Sequence, residues 1–287
     1  MASTHDYNMD TRNDNIHIYI NGFFFHRSEA KVSVMDSGYL LGDGVWEGIR
    51  LHKGTLIHLD AHLDRLFSGA KSIAMDIGLS CEEIILALRK TLEKNKMESD
   101  VHIRLIVSRG IKKTPYQHPK VTLGKPTVVI IPEYKKASED VKEKGITLAR
   151  VKTRRDHSIQ DPRINSLSKH NCIAACIEAD KLGADEGLML DPYDFVSTCN
   201  STNFFIVKNG EVWTSTGEYC LNGVTRGSII RLCEEYNNPI FEKNFNVEDV
   251  HSANEVFVTG TFAGVIPVPS VDGKTIGNGT RGSITES

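Results

Sequence analysis

Residues 161–203, DPRINSLSKHNCIAACIEADKLGADEGLMLDPYDFVSTCNSTN, constrain the fold more than any other stretch of this chain. The lead-in ends at Ser166 or Ser168, either of which can cap a helix. Ile173, Cys176, Ile177 and Ala179 then recur at helical spacing, with Gly183 as the stop. The short apolar run 186–190, bounded by Asp191 and Pro192, reads as a buried strand. Helix and buried strand in succession call for mixed α and β structure. The loop 197–203 has no apolar side chain beyond Cys199, which suits a backbone that approaches something closely. Lys169, at the head of the helix, is the residue with the most chemistry to offer.

Two hairpins flank this stretch. Residues 16–21 alternate and end in Asn21-Gly22, with 23–34 expected as the returning strand; 204–214 is a second hairpin turning at Asn209-Gly210. Residues 36–50 carry four glycines among large aromatics, as a pocket wall close to a ligand would. Amphipathic helices are expected over 59–77 and 81–94, and strands over 101–108, 127–132, 146–151 and 255–261. The charged segment 133–145 reads as a linker, giving a disordered, frayed tail over 1–15, a small domain over 16–132 and a larger one over 146–287.

A formal charge of -3 gives no electrostatic case for nucleic acid or an anionic membrane surface. No apolar run is long enough for a membrane span, and the N-terminal residues lack the apolar core of a secretion signal. The six cysteines read as buried reduced thiols of a cytoplasmic protein. Cys172 and Cys176 share a helix face, but no further Cys or His group completes a zinc site, so no metal is expected.

Two junctions are suited to an anion. A helix starts directly after Gly223, where free amides and the Thr225 hydroxyl can cradle phosphate; the Gly260-Thr261 turn repeats the combination. Arg65 can add a bidentate charge. Neither junction matches a nucleotide-binding fingerprint.

Taken in order, GDGVWEGIR, HLDRL with SGAK, VTRG, and VTGTFAGVIPV with VDG resemble the class IV aminotransferases, the fold type IV pyridoxal-phosphate enzymes that include branched-chain and D-amino acid aminotransferases. The resemblance covers residues 16–284. It implies an α+β fold with a small N-terminal α/β domain, a larger β-barrel-like C-terminal domain bearing helices, a homodimer, and a site between the domains. It also implies that Arg65, Val224, Thr225 and Thr261 hold the cofactor phosphate, and that the family continues in a further helix beyond Ser287.

Two positions depart from the family pattern. The family's Schiff-base lysine lies thirteen or fourteen residues ahead of a Glu-Ala pair; counting back from Glu178 reaches Asn165 or Ile164. The nearest lysine is Lys169. If the helix begins near Asn165, the two share a face about 5–6 Å apart, and a lysine stem spans that offset. The competing reading is a solvated Lys169 beside a dead site. The family's glutamate for the pyridine nitrogen falls on Thr198 here, which weakens the ring as an electron sink.

Tyr39, Trp46, Glu47 and Arg104 lie in segments that line the substrate pocket of relatives; Tyr39 and Trp46 suit the core equally, and Arg104 suits pairing with a structural acid. Residues 114–119 carry no arginine where D-amino acid enzymes have a carboxylate trap. The expected activity is pyridoxal-phosphate-dependent transamination between an amino acid or amine and a 2-keto acid, with Lys169 as the catalytic amine. The alternatives are a lyase of the same fold and a cofactor-binding protein without turnover.

Overall fold

The structure, a computed structural model, describes residue 4 and residues 9–287. Contacts divide the chain into two units: 9–136 with 164–169, and 137–163 with 170–287, the second of which also takes in Thr4. Residues 1–3 and 5–8 of the expected tail lie outside the described residues. Its end is ordered rather than frayed, because Thr11–Asn15 forms a 3-10 turn. The Asn13 side chain anchors that turn, donating to the Tyr134 carbonyl (2.9 Å) and accepting from its N–H (2.8 Å).

The first unit is built on an antiparallel six-stranded sheet. β1 (His17–Ile20) and β2 (Phe23–His26) form the expected hairpin, with Asn21 and Gly22 at positive φ (48° and 95°). Only four residues return, not the run to 34. A short helix α1 (Ser37–Leu41), capped by the Asp36 carboxylate, precedes β3 (Gly44–His52). There follow β4 (Thr55–Leu56), α2 (Leu59–Ser72), α3 (Cys81–Lys94) and β5 (Val101–Ser108). A two-stranded piece, β6 (Ile111–Lys112) with β7 (Thr122–Leu123), leads into β8 (Thr127–Tyr134), and the main order is β2-β1-β8-β5-β3-β4. Alternate residues of β3, β5 and β8, among them Ile49, Ile103, Leu105 and Ile130, meet Leu63, Leu66, Ile84 and Leu88 of α2 and α3 in one core.

The second unit begins where a linker is expected. Glu139–Lys144 is instead a short helix, α4, because Val141 is buried in the core and anchors an otherwise charged segment. β9 (Thr147–Arg150), α5 (His170–Lys181), β10 (Glu186–Leu190) and β11 (Val196–Cys199) follow. The expected loop 197–203 is therefore half strand; only 200–202 turns before β12 (Asn203–Lys208). β13 (Glu211–Thr214), α6 (Val224–Glu235), β14 (Ile240–Glu242), α7 (Val247–His251), β15 (Glu255–Gly260), β16 (Gly264–Pro267), β17 (Ser270–Val271), β18 (Lys274–Thr275) and α8 (Ser283–Glu286) complete the unit.

Two five-stranded sheets, β11-β10-β9-β17-β18 and β14-β13-β12-β15-β16, share a core. Leu148, Leu188 and Val196 from one meet Phe204, Ile206, Val256 and Val258 from the other, which is the barrel-like arrangement. The outer faces carry the helices. Met189 and Val151 pack under Ala175 and Ala179 of α5, and Phe205 and Phe257 under Cys233 and Ile229 of α6. All six cysteines are free thiols, though Cys176 is exposed and Cys81 only half-buried.

Candidate active site

In the first unit the chemistry gathers around β3. Residues 165–167 run antiparallel beside its start: the Trp46 N–H donates to the Asn165 carbonyl and the Leu167 N–H to the Gly44 carbonyl, both at 3.0 Å. This explains the glycines of 38–44. A Cβ on Gly44 would meet the Val107 carbonyl oxygen at 2.4 Å and Leu167 Cδ1 at 2.7 Å, and one on Gly42 would meet Ser168 Cα at 3.1 Å. The close approach expected to a ligand is made to the chain's own segment 167–168.

That docking positions Lys169. Helix α5 begins only at His170, so Asn165 and Lys169 do not share a helix face as expected. They meet nonetheless: Lys169 Nζ donates to Asn165 Oδ1 at 3.2 Å and lies 5.4 Å from the centroid of the Trp46 ring. The Trp46 indole N–H donates to the Ser166 carbonyl (3.2 Å), and Arg104 stacks over the indole at 3.9 Å. Arg104 forms no salt bridge with an acid among the described residues. Burial lowers its pKa, and the Glu133 carboxylate only partly offsets this. Tyr39 stands apart, 70% exposed on α1.

Behind this face, Glu47 is completely buried. Arg65 forks onto it through Nε (2.8 Å) and Nη2 (2.7 Å), and His62 Nδ1 lies 2.7 Å away. Burial pushes the Glu47 pKa up, but hydrogen bonds from Arg65 and His62 outweigh it and leave it below the usual carboxylate value. Arg65, expected to serve phosphate, thus spends two donors on Glu47.

In the second unit α6 starts at Val224, and its N-cap Gly223 offers no side chain to the first-turn amides. A Cβ at Gly223 would meet Asn203 Oδ1 at 2.2 Å, and Asn203 also donates to the Leu221 carbonyl at 2.8 Å. Asn203 pairs with Thr259 across β12 and β15, so the helix start is tied to that sheet. The Thr259 hydroxyl is buried without a hydrogen-bond partner among the described residues. Uncapped amides, the Thr225 hydroxyl and this orphaned hydroxyl, with Thr261 two residues beyond it, fit an anion such as phosphate.

Sequence reasoning missed the burial of four charged residues in this unit, Arg155, Glu186, Asp191 and Arg226. Glu186, within a run read as apolar, is 2% exposed and accepts from the Thr202 hydroxyl (2.9 Å) and from Thr4. Burial raises its pKa and the hydroxyls only partly counter it. Arg155, 7% exposed, has no periodic or motif context that signals burial. Thr198 is buried, and its hydroxyl donates to the Thr202 carbonyl at 2.7 Å.

The family model of amino-transferase class IV matches residues 44–271. The chain belongs to the class IV aminotransferases. It shares the α+β fold of this pyridoxal-phosphate family. A putative branched-chain-amino-acid aminotransferase of Methanocaldococcus jannaschii is 39% identical over 94% of this chain and 92% of its own length. The branched-chain-amino-acid aminotransferase-like protein 1 of Arabidopsis thaliana is 39% identical over 91% of this chain, which spans only 47% of that relative. Among solved structures, the branched-chain amino acid aminotransferase of Escherichia coli superposes with a TM-score of 0.88 at 28% identity, covering 95% of this chain and 91% of that one. Among the described residues no helix is long and apolar enough to cross a membrane.

Proposed function

We propose that this chain is a transaminase that moves an amino group between an amino acid or amine and a 2-keto acid, with Lys169 as its catalytic amine. One observation carries the reading: Lys169 Nζ reaches the side chain of Asn165, the position at which the family pattern has its lysine. Bound pyridoxal phosphate supplies the electron sink that loosens a substrate C–H bond. In this reading Val224 and Thr225 at the α6 start, with Thr261, hold the phosphate. With the cofactor bound, the neutral amine of Lys169, positioned by Asn165, would take the substrate's Cα proton as general base and, as the ammonium so formed, would give it back as general acid. The working form in this reading is a cytoplasmic homodimer, which light scattering checks for assembly and fractionation for location.

Thr198 favours a second reading, a lyase or a cofactor-binding protein without turnover. Its hydroxyl proton is committed to the Thr202 carbonyl, and it offers no carboxylate to the ring nitrogen. Mixing loaded protein with an amino donor and no keto acid separates the readings. Transamination gives one keto acid per site and bleaches the visible cofactor band, and Lys169→Ala abolishes both. Ammonia release points to the lyase, an unchanged band to binding alone, and full activity in Lys169→Ala ends the role given to that lysine.

A further inference from the structure

Arg155 is a buried charge that no acidic group answers among the described residues. Its N–H donates to the Leu190 carbonyl (3.0 Å), which pins the residue beside β10. Its side chain makes one hydrogen bond among the described residues, from Nη1 to Cys172 Sγ at 3.4 Å, while Nε is buried with no partner. No carboxylate lies within ion-pair distance among those residues. A guanidinium stays protonated and cannot escape by losing its charge, so its burial without an acceptor is costly.

The sheet pattern shows which side this donor faces. Leu188 and Leu190 of β10 enter the core between the sheets, whereas Met189 packs under α5. Thr198 lies directly opposite Met189 on β11 and so shares the α5 side. Cys172 is in the first turn of α5, which brings the Arg155 head to that same side. Thr198 is also the position at which the family pattern has the glutamate that serves the pyridine nitrogen. With the Thr198 proton given to the Thr202 carbonyl, Arg155 is the unanswered donor on this side.

We propose that Arg155 replaces that missing carboxylate, donating a hydrogen bond to the cofactor's pyridine nitrogen and keeping it unprotonated. The inference rests on the cofactor reading above. A cation beside the nitrogen disfavours a second positive charge on it, the reverse of what a glutamate does. The ring is then a weaker sink, and C–H cleavage becomes the slow step of any turnover.

The test has two arms. In cofactor-free protein, Thr198→Glu raises the melting midpoint when Arg155 is present and lowers it in an Arg155→Met background; additive effects would show that the positions do not share a site and would overturn the proposal. In protein loaded with pyridoxal phosphate carrying ¹⁵N in the ring, the nitrogen resonance at neutral pH lies in the unprotonated range. It stays there in Arg155→Lys and moves to the protonated range in Arg155→Met/Thr198→Glu. A protonated nitrogen in the unmodified protein overturns the role of Arg155 and leaves the cofactor reading standing. Failure to bind the labelled cofactor at all overturns both.

Discussion

Glu47 in the first unit and Arg155 in the second are both buried charges, and the two are treated in opposite ways. Glu47 in the first unit is enclosed by Arg65 and His62, with every close partner cationic or a hydrogen-bond donor. The Arg155 side chain in the second has, among the described residues, a thiol as its one hydrogen-bond partner. A buried charge whose partners are all supplied by the chain is scaffolding: it fixes β3 against α2 and thereby the start of β3, on which residues 165–167 dock. A buried charge with an idle donor is a place for something the chain does not itself contain.

The largest effect that can break this contrast is at Glu47. Glu47→Gln strips the fork from Arg65 and should cost about 3 kcal/mol in urea unfolding, the low end for a broken buried pair because Arg65 keeps 17% of its side chain exposed. A loss below about 1 kcal/mol would place this pair among weak surface bridges and dissolve the distinction.

The pH dependence sharpens the contrast between carboxylates. Glu47 has a folded pKa below its unfolded one, so its stabilisation is present above the unfolded value and is lost as pH falls through the folded value. Glu186 has a raised folded pKa, so folding favours its protonated form and stability declines as pH rises from the unfolded value towards the folded one. Unfolding midpoints from about pH 2 to 8 should therefore lose part of their acid decline, the part below the unfolded carboxylate value, in Glu47→Gln. In Glu186→Gln stability should rise at neutral pH and the opposing slope should vanish.

The smallest effect is expected at Arg155. Arg155→Met removes a buried cation and should leave the stability of cofactor-free protein unchanged or raise it by about 1 kcal/mol, because relief of desolvation matches or exceeds the lost contact with Cys172. A loss as large as that of Glu47→Gln would mean that the guanidinium is structural after all.

What the sequence disclosed follows the range of the forces involved. Asn21-Gly22 and Asn209-Gly210 announce their hairpins because both residues of each turn need positive φ, a local demand. Helix α3 keeps its expected bounds because Ser80 and Glu83 cap it reciprocally, again within one turn. The start of α6 was legible for the same reason, since Gly223 and Thr225 sit at the terminus itself. The purpose of Gly42 and Gly44 was not, because the atoms they make room for belong to residues 167 and 168. The isolation of Arg155 was invisible too: it depends on α5 closing over β10 and on the loss of a carboxylate at Thr198, and neither leaves a mark near residue 155.

The most direct measurement is to load the protein with pyridoxal phosphate, reduce it with borohydride and map the modified peptide. The account predicts a single pyridoxyl group on Lys169. A label on any other lysine, or cofactor released intact with no lysine modified, would contradict it.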